Sequence, residues 1–326
     1  MAKRTLDSFF KPSTPKRPKI ETETEPTDAN ADAKPPSQHP SYPIPIPQLP
    51  SHVEVSLEHG TPFKQGQEIN NQPHLDLVHF QPYIPRATAN EFFKFLRREL
   101  PFYRVRYTAR RGNVSTEINT PRWTTVFGID ETSVFENGRA VDARTGSPVP
   151  PTKYQCTPRP IPACLEILRK QVEAHAGVEK GYNFCLVNYY AGGDDSISFH
   201  SDDEIFLGSR PNIASLSLGG ERDFLMKHKP APVTGSADAK PGAMAAVGRQ
   251  IKMSLGSGDM VIMRGDTQSN WLHSIPKRKG NTAGRINITF RRAVVPAGTN
   301  NYYHYNVGSG GMYKWDDISR EMVERK

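Results

Sequence analysis

The chain has 326 residues, 36% hydrophobic and 23% charged, with a formal net charge of +8, a length that allows one large domain with extra segments or two modest domains. No apolar run approaches the roughly 18 residues of a membrane span, and "MAKRTLDSFFKPSTPKRPKI" lacks the apolar core of a secretory signal, so no membrane partner is expected and the protein is expected to stay inside the cell. The three cysteines, Cys156, Cys164 and Cys185, form no C-x-x-C pair and read as buried free thiols in a reducing compartment.

Residues 1–75 carry 13 of the 29 prolines and balance eight Lys/Arg against nine Asp/Glu. Such a composition buries too little apolar surface to offset chain entropy, so a disordered tail is predicted over 1–75. The remaining residues, 76–326, hold 34 basic and 25 acidic side chains, a net +9 compatible with a polyanionic partner such as nucleic acid. A single domain is predicted there, beginning near "LDLVHFQPYI", and a monomer is expected. "TANEFFKFLRREL" reads as a helix, with a Thr88/Glu91 capping box and Phe92, Leu96 and Leu100 on one face. "RVRYTARRGNVSTEI" reads as a hairpin with a basic tip containing Arg110. "IPACLEILRKQVEAHAG" is a second helix, with Leu165, Leu168 and Val172 as its stripe and Gly177 as its C-terminal cap. The period then changes to two. "NFCLVNYY", "SISFH", "IASLSL", "DFLMKH", "QIKMSL", "DMVIMR", "NWLHSI" and "RINITFRR" are all strand-like. Residues 229–249, rich in Ala, Gly and Pro, read as a flexible insertion. The predicted fold class is α+β, mainly β: a double-stranded β-helix (jelly roll) with supporting N-terminal helices.

On a strand, side chains two apart share a face, so His200 and Asp202 of "SFHSD" can aim at one point. His273 lies in another predicted strand. Two histidines and a carboxylate form the facial triad of non-haem iron oxygenases, although a hydrogen-bonded core histidine is the plainer alternative for His273. "GRINITFRR" adds Arg285, Asn287, Thr289 and Arg291 at strict two-residue spacing. Two inward arginines require buried anions, and a dicarboxylate supplies one for each.

The set His200-Ser201-Asp202, His273 and "RINITFR" resembles the AlkB family of iron and 2-oxoglutarate-dependent dioxygenases. The likeness extends to "NFCLVNYY", "HSDDE", "IASLSLGGERDFLMKHK" and "WLHSIPKR", and is strongest to the branch that repairs alkylated DNA. The resemblance implies that His200, Asp202 and His273 bind Fe(II), and that Arg285 and Arg291 hold the carboxylates of 2-oxoglutarate. It implies further that Asn188 and Tyr190 hydrogen-bond this co-substrate, with Asn287 and Thr289 lining its pocket. O2 is the third reactant. The implied reaction is oxidative demethylation of 1-methyladenine- or 3-methylcytosine-type bases in DNA, with release of formaldehyde. An RNA or protein demethylase of the same family, or a non-catalytic jelly roll holding structural zinc, are the alternatives; no nearby cysteine offers the fourth ligand that a closed zinc site needs.

An enzyme of this kind acts on a flipped or single-stranded base. Asp203 is expected to pair with the cationic ring, and Glu204 to assist. "NTPRWTTVFGIDETSVF" resembles the stretch that the family folds over its substrate. Within it Trp123, Phe127 and Phe135 are expected to stack on the base and Arg122 to reach a phosphate. Arg110, at the hairpin tip, and Lys277, Arg278 and Lys279 are expected backbone contacts, with Tyr107 a candidate wedge. In the tail, Lys3–Phe10, "KRTLDSFF", resembles the peptide that docks replication proteins on the sliding clamp PCNA, with Lys3 where that pattern has Gln. "KPSTPKRPK" after it fits nuclear import, so a nuclear location is expected.

Overall fold

Changes of period in the sequence become changes of element in the computed structural model, which describes residues 34–154, 156–230, 249–294 and 310–325. The Lys3–Phe10 peptide, the basic cluster behind it and residues 231–248 of the insertion lie outside the described residues. The disordered tail predicted over 1–75 is too long, because residues from Pro35 onward belong to the folded unit. α1 (Ser51–His59) buries Val53 and Leu57, and Ile46 and Leu49 are buried just before it. Proline-rich chain has few N–H groups to satisfy, so it can lie extended on an apolar surface built by later residues. Here Ser37 bridges Ile46, and the Tyr42 hydroxyl donates to the Pro160 carbonyl at 2.7 Å. Composition alone is blind to such a surface.

β1 (Gln67–Ile69) and β2 (Leu77–Phe80) lead to α2 (Arg86–Glu99). α2 starts after Pro85, three residues earlier than the capping box predicts, and no side chain caps it. Thr88 instead shares a 2.7 Å hydrogen bond with Ser56, and Glu91 pairs with His52, so both residues fasten α1 to α2. β3 (Phe102–Tyr103) precedes the hairpin of β4 (Arg106–Arg111) and β5 (Val114–Asn119), as predicted. Gly112 takes the left-handed φ of 59° that the hairpin turn requires. β6 (Trp123–Gly128), a second hairpin of β7 (Ser133–Glu136) and β8 (Arg139–Asp142), and α3 (Ala163–Ala176) follow, and Gly177 ends α3 at φ 65°.

The eight predicted strands are all present: β9 (Phe184–Tyr190), β10 (Ile197–His200), β11 (Ile213–Gly219), β12 (Arg222–His228), β13 (Ile251–Leu255), β14 (Met260–Met263), β15 (Trp271–Ile275) and β16 (Arg285–Arg291). A short 3₁₀ turn, Ile205–Leu207, follows β10, and α4 (Thr267–Asn270) precedes β15; β17 (Met312–Asp316) and β18 (Glu321–Arg325) close the order. The larger sheet runs β1-β2-β14-β11-β16-β9-β6-β3-β17-β18, and the smaller runs β10-β15-β12-β13. All pairings between them are antiparallel, giving a jelly roll with helices on the outer face of the larger sheet.

Strand alternation sorts side chains into two interiors. Cys185, Val187 and Tyr189 of β9, with Ile286, Ile288 and Phe290 of β16, pack with Phe92 and Leu96 of α2 and Leu165 and Leu168 of α3. Each such fully buried side chain contributes about 1.5–3 kcal/mol by leaving water. Phe184 and Tyr190 face the smaller sheet, with Phe224, Met226 and Trp271. That second interior carries the polar residues of β9 and β16, and the site lies within it.

Candidate active site

β10 and β15 place His200 and His273 directly opposite in the antiparallel register, with ring centroids 4.2 Å apart. Asp202 is two residues past His200, beyond the strand end, and is held by its backbone: its N–H donates to Gln268 Oε1 at 2.9 Å. Its carboxylate faces the Nε2 edges of both rings. His200 Nε2 is 3.8 Å from Oδ1 and His273 Nε2 is 3.8 Å from Oδ2. One donor atom from each of the three residues falls within 4.8 Å of the others, close enough for a single ion to bridge. The His200 ring is fixed from behind by the carbonyl of Ser198, 2.9 Å from Nδ1, which leaves Nε2 for a ligand.

The electrostatics suit a cation. Burial pushes His273 down to about 3, with His200 adding to the effect against Asp202, so this ring is a neutral ligand. Burial alone would raise the Asp202 carboxyl, but Arg291, His273 and His200 together hold it below its ordinary value. Arg291 Nη2 is 3.0 Å from Asp202 Oδ1, and its Nη1 is 3.5 Å from Glu204 Oε1. Burial pushes Glu204 up, with Asp202 adding to that and Arg291 opposing it.

Arg285 is different. It is 1% exposed, its Nη2 donates to Ser217 Oγ at 2.8 Å, and Nε and Nη1 have no hydrogen-bond partner among the described residues. Its guanidinium carbon is 5.4 Å from the centroid of the Tyr190 ring. Burial, with Arg222 nearby, pushes its pKa down to about 10, so the charge remains at neutral pH, and Arg285 has no ion-pair partner among the described residues. A buried cation with two free donors fits an incoming carboxylate, which is the test the 2-oxoglutarate site has to pass. Asn188 Oδ1 is engaged by Thr124 Oγ1 at 2.9 Å and by Arg122 Nε at 3.3 Å, which leaves its amide N–H groups as donors. Asn287 Nδ2 bonds Ser215 Oγ, and Thr289 Oγ1 bonds the Leu186 carbonyl, so both line the cavity while tying β16 to its neighbours.

The three cluster residues, both arginines, Asn188, Asn287 and Thr289 line one cavity of about 760 Å³, whose outer wall includes Arg106, Thr108 and Ile118 of the β4–β5 hairpin. Several predicted substrate contacts are not in it. Phe127 is fully buried on the helix side of β6, edge-on to Tyr42, and cannot stack on a base in the cavity. Trp123 shares that face, packed against Tyr189. Phe135 sits in the β7–β8 hairpin against His39. Within β6, Trp123 and Phe127 are in phase with each other and out of phase with Arg122, Thr124 and Val126, which do line the cavity. Asp203 and Glu204 do line the cavity: Asp203 is half exposed and held by Lys229 at 2.7 Å, and Glu204 is turned onto Arg291. Arg110 pairs with Ser115 in the hairpin backbone.

Sequence reasoning missed two groups. Gln268 carries no motif, and its bond to Asp202 spans 66 residues. Arg222 is fully buried and donates to the carbonyls of Gly192, Asp195 and Pro276, tying the loop after β9 to the loop after β15 at the cavity rim. The only signal for it was a charged residue at the start of an apolar strand.

Residues 76–291 match the 2OG-Fe(II) oxygenase superfamily. The chain is 31% identical over 253 residues to "DNA oxidative demethylase ALKBH2" of Arabidopsis thaliana, covering 74% of this chain and 69% of that one. It is 38% identical to "Alpha-ketoglutarate-dependent dioxygenase alkB homolog 3" of Rattus norvegicus, covering 44% and 46%. It is 36% identical to "DNA oxidative demethylase ALKBH2" of Homo sapiens, covering 43% and 49%. The match thus spans about half the length of the rat and human relatives. The matched segment contains the buried cluster and both arginines, and the chain belongs to the 2OG-Fe(II) oxygenase superfamily, as an AlkB-like dioxygenase that uses Fe(II), 2-oxoglutarate and O2.

Proposed function

We propose that the chain is an oxidative demethylase of N-alkylated bases in DNA, of the 1-methyladenine and 3-methylcytosine type. The observation that carries this reading is the uncompensated Arg285 in the same cavity as the His200–Asp202–His273 cluster. The names of the Arabidopsis and human relatives support the choice of DNA.

His200, Asp202 and His273 would hold the metal, and Arg285 would bind a carboxylate of the co-substrate. When bound, Fe(II) and 2-oxoglutarate supply the O2-dependent oxidation of the N-methyl carbon, which leaves as formaldehyde while 2-oxoglutarate becomes succinate and carbon dioxide. The chain's own part is positioning. Arg291 keeps Asp202 ionised and fixed. Arg222 holds the rim loops, and the β4–β5 hairpin covers the mouth. A base inside a duplex cannot enter this cavity, so the target is flipped or single-stranded. For the tail we propose docking of Lys3–Phe10 on PCNA and a nuclear location, supported by the sequence of those residues.

Purified protein with Fe(II), 2-oxoglutarate and O2 is expected to release formaldehyde from a strand carrying 1-methyladenine. Matched DNA and RNA strands compare the two substrates through the 2′-hydroxyl alone. Protein that binds both cofactors yet leaves every methylated base untouched sinks the reading. Deleting the first ten residues should spare turnover and abolish PCNA capture.

A further inference from the structure

A second cavity, of about 950 Å³, opens on the helix side of the same strands, lined by Lys94, Arg97, Trp123, Tyr189, Trp315 and Arg320 among others. Three donor groups there are buried with no hydrogen-bond partner within bonding distance among the described residues: Arg97 Nε, Trp123 Nε1 and the hydroxyl of Tyr189, a residue with no exposed surface that faces Arg97. All three can donate, so together they call for an acceptor-rich ligand. Basic side chains add the charge: Lys94 and Arg320 are exposed and line the groove. Of the acids lining it, Asp317 is engaged by Trp315 Nε1 at 2.9 Å, and Glu321 lies on the exposed end of β18. The walls are flat. Trp123 and Trp315 each contact Tyr189, at 6.0 and 6.3 Å between centroids, and Arg97 lies over Trp315 at 3.7 Å. Donors and cations beside aromatic faces form a site for a phosphate joined to a planar ring, the makeup of a nucleotide.

This groove and the catalytic cavity are two faces of one strand edge. Arg122 and Trp123 are neighbours in sequence and point to opposite sides. Arg104 links the two: it donates to the Thr120 carbonyl at the catalytic cavity and lies 4.9 Å over the Trp123 ring. We propose that the groove is a second nucleic-acid site, which takes a phosphate and stacked base of the strand whose modified nucleotide occupies the catalytic cavity; the choice of a strand rests on the demethylase reading.

The test uses the full chain, Lys94→Glu and Arg97→Gln, and unmodified single strands of about 15 nucleotides, read by fluorescence anisotropy against salt. Each variant should bind the strand about tenfold more weakly, and the slope of log K against log salt should fall by about 0.7 for each phosphate no longer neutralised. Turnover of a methylated trinucleotide, which fills only the catalytic cavity, should not change. Equal strand affinity in all three proteins overturns the proposal, as does a matching loss on the trinucleotide. Adenosine monophosphate that quenches tryptophan fluorescence in the wild type but not in Lys94→Glu, while strand affinity stays equal, assigns the groove to free nucleotides and overturns the strand. Lys94 is exposed, so its variant should fold with an unchanged Tm. Strand binding needs no methyl group, so wild type that binds strands without demethylating them overturns the demethylase reading alone.

Discussion

Arg291 Nη2 lies 3.0 Å from Oδ1 of Asp202, so the arginine at the end of β16 holds the carboxylate that the two histidines flank. Removing one partner of a buried pair leaves an uncompensated charge, at a cost of about 3–5 kcal/mol. Arg291→Gln should therefore lower metal-free stability by roughly that amount in urea unfolding. A divalent ion should restore part of the loss, because its charge replaces that of Arg291 beside Asp202. Equal destabilisation with and without metal would show that the pair has no link to the ion site.

His200→Ala should abolish turnover while the domain keeps its fold, since the ring is partly exposed and packs little. Circular dichroism and the metal-to-protein ratio together check this. A variant that still holds one equivalent of iron would remove His200 from the ligand set.

Arg285→Ala should raise the 2-oxoglutarate requirement by about ten- to a hundredfold, the worth of a charge-assisted hydrogen bond of 1.5–3 kcal/mol. Arg285→Met separates this from folding: it removes a buried, unpaired charge and should cost little metal-free stability. The stabilisation given by 2-oxoglutarate at 100 times the wild-type Kd, about 2.7 kcal/mol, should fall to about 0.4–1.4 kcal/mol in it. Normal co-substrate affinity in either variant would contradict the placement of the carboxylate.

Gln268→Ala removes the acceptor for the Asp202 N–H and should weaken metal binding by about 10- to 100-fold, measured by titration with cobalt. Unchanged affinity would make this bond incidental.

Phe127→Ala should cost about 3–5 kcal/mol of stability, as a fully buried phenylalanine in the helix-side core. Phe127→Leu should fold and leave the KM for methylated strands unchanged. A raised KM in Phe127→Leu would return this ring to the substrate.

What could be read from the sequence was whatever repeats along it. The period of two in "RINITFR" fixes which residues face which interior, and the structure follows it at all seven positions of β16. His200, Asp202 and His273 were legible because their residue types are rare in that combination. Aromatic character alone does not say which face Trp123 and Phe127 take; the phase of β6 sets them opposite Arg122. Gln268 and Arg222 act through bonds to distant backbone, and a single chain carries no local trace of such partners. The prolines before residue 50 pointed to disorder because the surface they cover is made by residues more than a hundred positions later.

Neighbouring residues of β9 serve separate compartments: Asn188 and Tyr190 the cavity, Val187 and Tyr189 the helices. One codon added inside this strand would swap those memberships, driving a tyrosine and a valine onto the co-substrate and an asparagine among phenylalanines. The wall can therefore be retuned one side chain at a time, but the length of β9 cannot drift.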